Sequence, residues 1–111
     1  MPDNTKNQTQ PGRHEVHVGL RVTDEAGYQR YRDQMTPILG SMHAFFRYDM
    51  RVSELLRGDA DEPFNRVFII SFPDRDTKAR FFDDPSYKAV RAEHFDRSVS
   101  SVVQIAEYTL G

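Results

Sequence analysis

The stretch Val67-Phe-Ile-Ile-Ser-Phe72 constrains this chain more than any other, because it is apolar on both of its faces. Successive side chains of a strand point to opposite sides. Val67 and Ile69 therefore face one way, while Phe68, Ile70 and Phe72 face the other. A strand of that kind needs cover on two sides. The chain has 111 residues, a length that makes one domain and buries about two thirds of its unfolded surface.

The rest of the pattern shows what cover is available. From His14 to Val22 the residues alternate, with Val16, Val18, Leu20 and Val22 on one face and His17, Gly19 and Arg21 on the other, which is a strand of period two. Thr23 or Asp24 caps a helix whose stripe is Tyr28, Tyr31, Met35 and Leu39, with Pro37 bending its last turn and Gly40 ending it. A second strand begins near Ala44, with Phe46, Tyr48, Met50 and Val52 alternating against Arg47, Asp49, Arg51 and Ser53, and continues toward Leu55 and Leu56 after a bulge. Residues 57–63 read as a solvated turn region. The strand of about Arg66–Phe72 follows, and Asp74 caps a helix over about 75–83. Asp84-Pro85 breaks that helix and opens a second piece over about 85–97, with Phe81, Phe82, Tyr87, Val90 and His94 turned inward. Ser101 to Thr109 is a fourth strand.

The order βαββαβ predicts an α+β, ferredoxin-like sandwich with a four-stranded antiparallel sheet. Right-handed crossovers put the helices on one side of it, over the face of Val16, Val18, Leu20, Phe68, Ile70 and Phe72. The face of Val67 and Ile69 has no cover left. A second copy of the chain is the simplest cover, sheet against sheet about a two-fold axis, with a standard interface of about 1,600 Å². The expected organisation is a polar tail over residues 1–12 and one domain over residues 13–111.

Composition narrows the classes of partner. Fifteen basic and 17 acidic residues leave a net charge of -2, with no basic block that reads as a nucleic-acid footprint. There is no cysteine, hence no disulfide, thiolate metal site or cysteine nucleophile. Apolar runs fall short of the ~20 residues that span a bilayer. The N-terminal residues lack a hydrophobic signal core, so a cytoplasmic protein is expected. No P-loop, G-x-S-x-G or G-x-G-x-x-G occurs, and neither a metal nor another cofactor is expected.

The run from Pro63 to Arg91 resembles the domain-of-unknown-function 1330 family, a branch of the dimeric α/β-barrel superfamily. The shared pattern is a strand ending in Phe72-Pro73, a helix carrying Phe81-Phe82, and Asp84-Pro85-x-Tyr87 opening the next piece. Val22-Thr-Asp24 with Tyr28 and Tyr31 also matches, so the resemblance spans about residues 14–109. It implies the same fold and a homodimer. Relatives in the superfamily include cofactor-free monooxygenases, lactone isomerases and haem-handling enzymes, a range too wide to transfer. The chain departs from the family's pattern twice: His43-Ala44 stands where a Gly-Gly pair is common, and Ser71 where an acid often precedes the Phe-Pro.

Candidate site residues follow from parity and from that resemblance. His14 and His17 lie three apart on a strand, so they point to opposite faces and cannot share a metal. His17 belongs to the partner-facing side, where the resemblance places a cavity. It is a proton-transfer candidate, set against the plainer reading of a hydrogen-bonded interface histidine. Arg21, Arg47, Asp49 and Ser71 join it on that face if no bulge intervenes. The two arginines suit a carboxylate or another small anion, while Arg47 and Asp49 also fit the solvated side of an edge strand. His43, at the helix-to-strand junction, is the second acid/base candidate, or simply a surface turn residue. The expected function is cofactor-independent acid/base chemistry on a small organic substrate, isomerase-like or monooxygenase-like. The alternative is a non-catalytic ligand-binding or dimeric interaction module.

Overall fold

The computed structural model describes residues 11–111. Strand β1 (His14–Val22) leads into helix α1 (Glu25–Ser41), then β2 (Phe45–Arg51) and β3 (Arg66–Phe72). Helices α2 (Arg75–Asp83) and α3 (Pro85–Val90) follow, α3 runs into a π-helical turn (Arg91–Phe95), and β4 (Val99–Thr109) closes the fold. The sheet is antiparallel with order β2-β3-β1-β4. This is the ferredoxin-like α+β arrangement the element order predicts.

Helix starts follow their capping residues. Asp24, Asp74 and Asp84 each accept a hydrogen bond from the backbone N–H three residues on, at Gly27, Thr77 and Tyr87, which satisfies a donor the helix leaves free. Pro85 sits in the first turn of α3, where its missing N–H costs nothing. The end of α1 differs from expectation. Pro37 lies inside the helix as expected, but α1 runs one residue past Gly40 to Ser41, and the chain turns at His43, whose φ is 61°. Ala44 N–H reaches Leu39 O at 3.1 Å and His43 N–H reaches Gly40 O at 3.0 Å, a Schellman ending whose left-handed position usually belongs to glycine.

The core lies between helices and sheet. Val16, Leu20 and Val22 of β1 pack with Phe68, Ile70 and Phe72 of β3 beneath Tyr28, Tyr31, Met35 and Leu39 of α1 and Phe81 of α2. Both faces of β3 are as the alternation predicts: Phe68 and Ile70 are buried, Val67 and Ile69 only half-buried. On the helix-free face Tyr48 and Met50, 51% and 45% exposed, stand opposite Ile69 and Val67. The loop residue Phe64 covers one end of that face, lying so close over Gly19 that a Cβ there would sit 2.8 Å from its ring.

Strand β2 corrects the parity argument. Its pairing with β3 shifts at Arg47, so Phe46 pairs with Ile70 but Tyr48 with Ile69. The extra residue flips everything after it. Strand β2 also stops at Arg51, without the expected continuation to Leu55 and Leu56, and Leu56 is 87% exposed. Ten of the twelve residues assigned to a tail lie outside the described residues. Gly12 and Arg13 bond to the backbone of Leu110. No helix among the described residues is long and apolar enough to cross a membrane.

Candidate functional site

Strand parity places Glu15 and His17 of β1, Ser71 of β3 and Tyr108 of β4 on the helix-free face. They form a connected polar cluster. Glu15 is fully buried although no helix covers it, because neighbouring side chains roof it over. Arg47 Nε and Nη2 donate to its two oxygens at 2.6 and 2.9 Å, and Tyr108 OH donates to Oε1 at 2.9 Å. Burial would raise the Glu15 carboxyl, but the bonds from Arg47, Tyr108 and Ser71 outweigh it and hold it below its ordinary value. With the Tyr108 proton committed to Glu15, His17 Nε2, 2.7 Å from Tyr108 OH, is the donor of that pair. Arg13 Nε closes the cluster on Ser71 Oγ at 2.7 Å.

Three of the residues singled out in the sequence thus come together: His17, Arg47 and Ser71. The others do not. The shift at Arg47 turns Asp49 to the helix side, where it pairs with Arg32 at 2.6 Å. Arg21 shares the face of His17 but borders a hollow with Val52, Ser53 and Leu55. His43 is exposed, and its carbonyl accepts from Arg13 Nη2 at 3.1 Å. Alternation could have found Glu15 and Tyr108, since both share parity with His17 in their strands. Apolar and histidine signals drew attention past them.

A cavity of about 420 Å³ opens between the helices and the sheet. Its floor is Val16, Val18 and Leu20, its far wall Tyr28, Tyr31 and Met35, and its near wall Phe82, Tyr87 and Phe95. Val18 is on an inner strand under the helices yet remains half-buried, because the cavity reaches down to it. Val102 on β4, 52% exposed, lies at the rim with Lys78, Gln104 and Arg91.

Few polar atoms reach this space. Tyr31 and Tyr87 hydroxyls are 2.9 Å apart and buried. Burial first, and then the Tyr87 hydroxyl, push Tyr31 far above its ordinary pKa, so it stays protonated, and either hydroxyl can donate to the other. Tyr28 is raised mainly by burial and accepts from Arg32 Nη1 at 2.9 Å. The π-helical turn brings both Arg91 and Phe95 to the cavity. Such turns are rare and recur at functional sites, and a 3.6-residue period gives no sign of one.

A third group stands behind the rim. Glu107 Oε2 accepts from Lys78 Nζ at 2.7 Å and from His14 Nε2 at 2.5 Å, and His14 Nδ1 is 2.8 Å from Thr109 Oγ1. His14 is fully buried. Lys78, then His14, hold the Glu107 carboxyl down at about 2. Among the described residues no cluster of three or more His, Cys, Asp or Glu has the arrangement of a metal site.

Known proteins share this fold. A protein of unknown function from Rhodopseudomonas palustris, RPA0582, superposes with a TM-score of 0.76 at 16% identity, covering 98% of this chain and 93% of that one. A dimeric protein of unknown function with a ferredoxin-like fold from Bacteroides fragilis gives 0.59 at 12% identity, over 89% and 97% of the two chains. The hydroxynitrile lyase of Passiflora edulis gives 0.66 at 12% identity, over 92% and 96%. No curated protein matches the sequence. At these identities the likeness concerns the fold. The family pattern described as a domain of unknown function, DUF1330, matches residues 16–108, from the first strand to the last, and the chain belongs to that family.

Proposed function

We propose that this chain is a ligand-binding homodimer. The helix-side cavity takes a small, mostly apolar organic molecule, and the opposite sheet face pairs with a second copy. The observation that supports it most is the half-buried Val18 at the floor of an enclosed 420 Å³ space. That volume is at the small end of ligand pockets, and apolar walls with a few convergent polar groups are their usual make-up. The dimeric Bacteroides fragilis relative and the bare apolar side chains Tyr48 and Met50 support the pairing.

Binding without turnover is the reading the wall chemistry favours. The cavity's polar groups are tyrosine hydroxyls, Lys78, Arg91 and Gln104, with no imidazole or carboxylate among its lining residues to accept a proton. His17 and His43, the proton-transfer candidates, lie outside that lining. The hydroxyl of the Tyr31–Tyr87 pair that does not donate to the other is free to donate a hydrogen bond to a bound oxygen.

The test is calorimetric titration with 1-octanol and 3-phenylpropanol in wild type and Val18→Phe. Saturable binding by wild type, weakened at least about tenfold by the larger side chain, is expected, since the added ring takes up ligand space. Binding unaffected by Val18→Phe would refute the cavity as the site.

A further inference from the structure

Lys78, Gln104 and Arg91 come from three different elements, α2, β4 and the π-helical turn, and converge on the rim of an otherwise apolar cavity. Lys78 projects there because its ammonium is tied to Glu107, whose carboxylate is itself fixed from behind by the buried His14. His14 in turn is held on its other nitrogen by Thr109. A single acceptor uses one of the three ammonium donors. The remaining two are available to a group entering the rim. Arg91 is weakly paired, 3.8 Å from Asp96, and lies over the Phe95 ring at 4.7 Å. Its guanidinium is thereby kept beside the cavity wall.

We propose that the ligand is a small carboxylate, with its apolar body in the cavity and its carboxylate at the rim on Lys78, and that Glu107 and His14 position that lysine. The inference rests on the reading of the cavity as a ligand site. Charge complementarity carries it. An apolar tail satisfies the walls, whereas a neutral head would offer the free Lys78 donors and the weakly paired Arg91 only neutral acceptors. A carboxylate accepts from Lys78 in a charge-assisted bond, which is shorter and stronger than a neutral one. Arg91 and Gln104 line the same cavity and carry further donors, while the Glu107 carboxylate is already engaged by His14 and Lys78.

Matched acids and alcohols separate this inference from the reading beneath it. Titration of wild type with octanoate against 1-octanol, and with 3-phenylpropanoate against 3-phenylpropanol, is expected to favour each acid by about tenfold or more, the scale of one charge-assisted hydrogen bond. Lys78→Gln should erase that preference, with a cooperative urea transition retained by the variant certifying its fold. Lys78→Arg should restore most of the preference. Equal affinities for acid and alcohol in wild type would overturn the carboxylate inference and leave the cavity reading intact. A preference that survives Lys78→Gln would also overturn it, whereas no binding by any of the four probes would sink both.

Discussion

Arg47 on β2 and Glu15 on β1 meet side-on across the intervening strand β3, with Nε and Nη2 at 2.6 and 2.9 Å from the two carboxylate oxygens. The bulge at Arg47 provides the reach. Because Glu15 is fully buried and Arg47 partly so, the pair is a specifying contact whose loss strands a charge. Arg47→Met is expected to destabilise the fold by about 3 kcal/mol, and Arg47→Met with Glu15→Gln by clearly less. Urea unfolding of the single and double variants reads both.

Acid stability should depend on Glu107. Its folded pKa, about 2, is depressed from the ordinary 4.5 chiefly by Lys78. A depressed carboxyl contributes stability that is complete above its unfolded pKa and fades as pH falls through the folded one. Wild type should therefore lose this contribution between about pH 4.5 and 2. In Lys78→Met the folded value rises, so the stability gap between wild type and variant should narrow as pH falls through that window. Urea midpoints measured across it give the test.

His43 occupies a left-handed position with φ of 61° and an exposed side chain. Replacing it by glycine removes the steric cost of a Cβ there but frees the unfolded chain. The balance should stabilise the protein by about 0.5–1 kcal/mol. Thermal melts of His43→Gly and His43→Ala should show a gain for the first and no comparable gain for the second.

Ile69 lies at the middle of the helix-free face, beside Tyr48 and opposite His17. A charge there is incompatible with sheet-on-sheet pairing but is tolerated on a free surface. Ile69→Asp should sediment as a folded monomer where wild type sediments as a dimer. A monomeric wild type at micromolar concentration would contradict the proposed pairing.

The sheet was readable because alternation is a local property. VFIISF reported both of its environments, and β1 reported its buried face through Val16, Leu20 and Val22. The helix starts were equally local, since Asp24, Asp74 and Asp84 each cap within three residues. What escaped was set by partners distant in the chain. The shift at Arg47 arises from how β2 meets β3 and Glu15, so Asp49 was assigned to the wrong face. Gly40 reads as a helix end by composition, yet α1 runs on to Ser41 and His43 takes the turn. The cavity is a matter of what does not fill the space over Val18, and no spacing of apolar residues encodes an unfilled volume. His17, Arg47 and Ser71 were legible as neighbours through parity alone, whereas Lys78, Glu107 and His14 meet only through the pairing of β1 with β4 and the placing of α2.

The most direct test of the central claim, that the occupied side of the sheet is the helix side, is a side-chain NMR titration of wild type with 3-phenylpropanoate. Saturating shifts at the methyls of Val16 and Val18 and the rings of Tyr31 and Phe82, with His17 and Tyr108 unmoved, are the predicted result. Shifts centred on His17, Tyr108 and Ile69, with Val18 and Tyr31 unmoved, would contradict it.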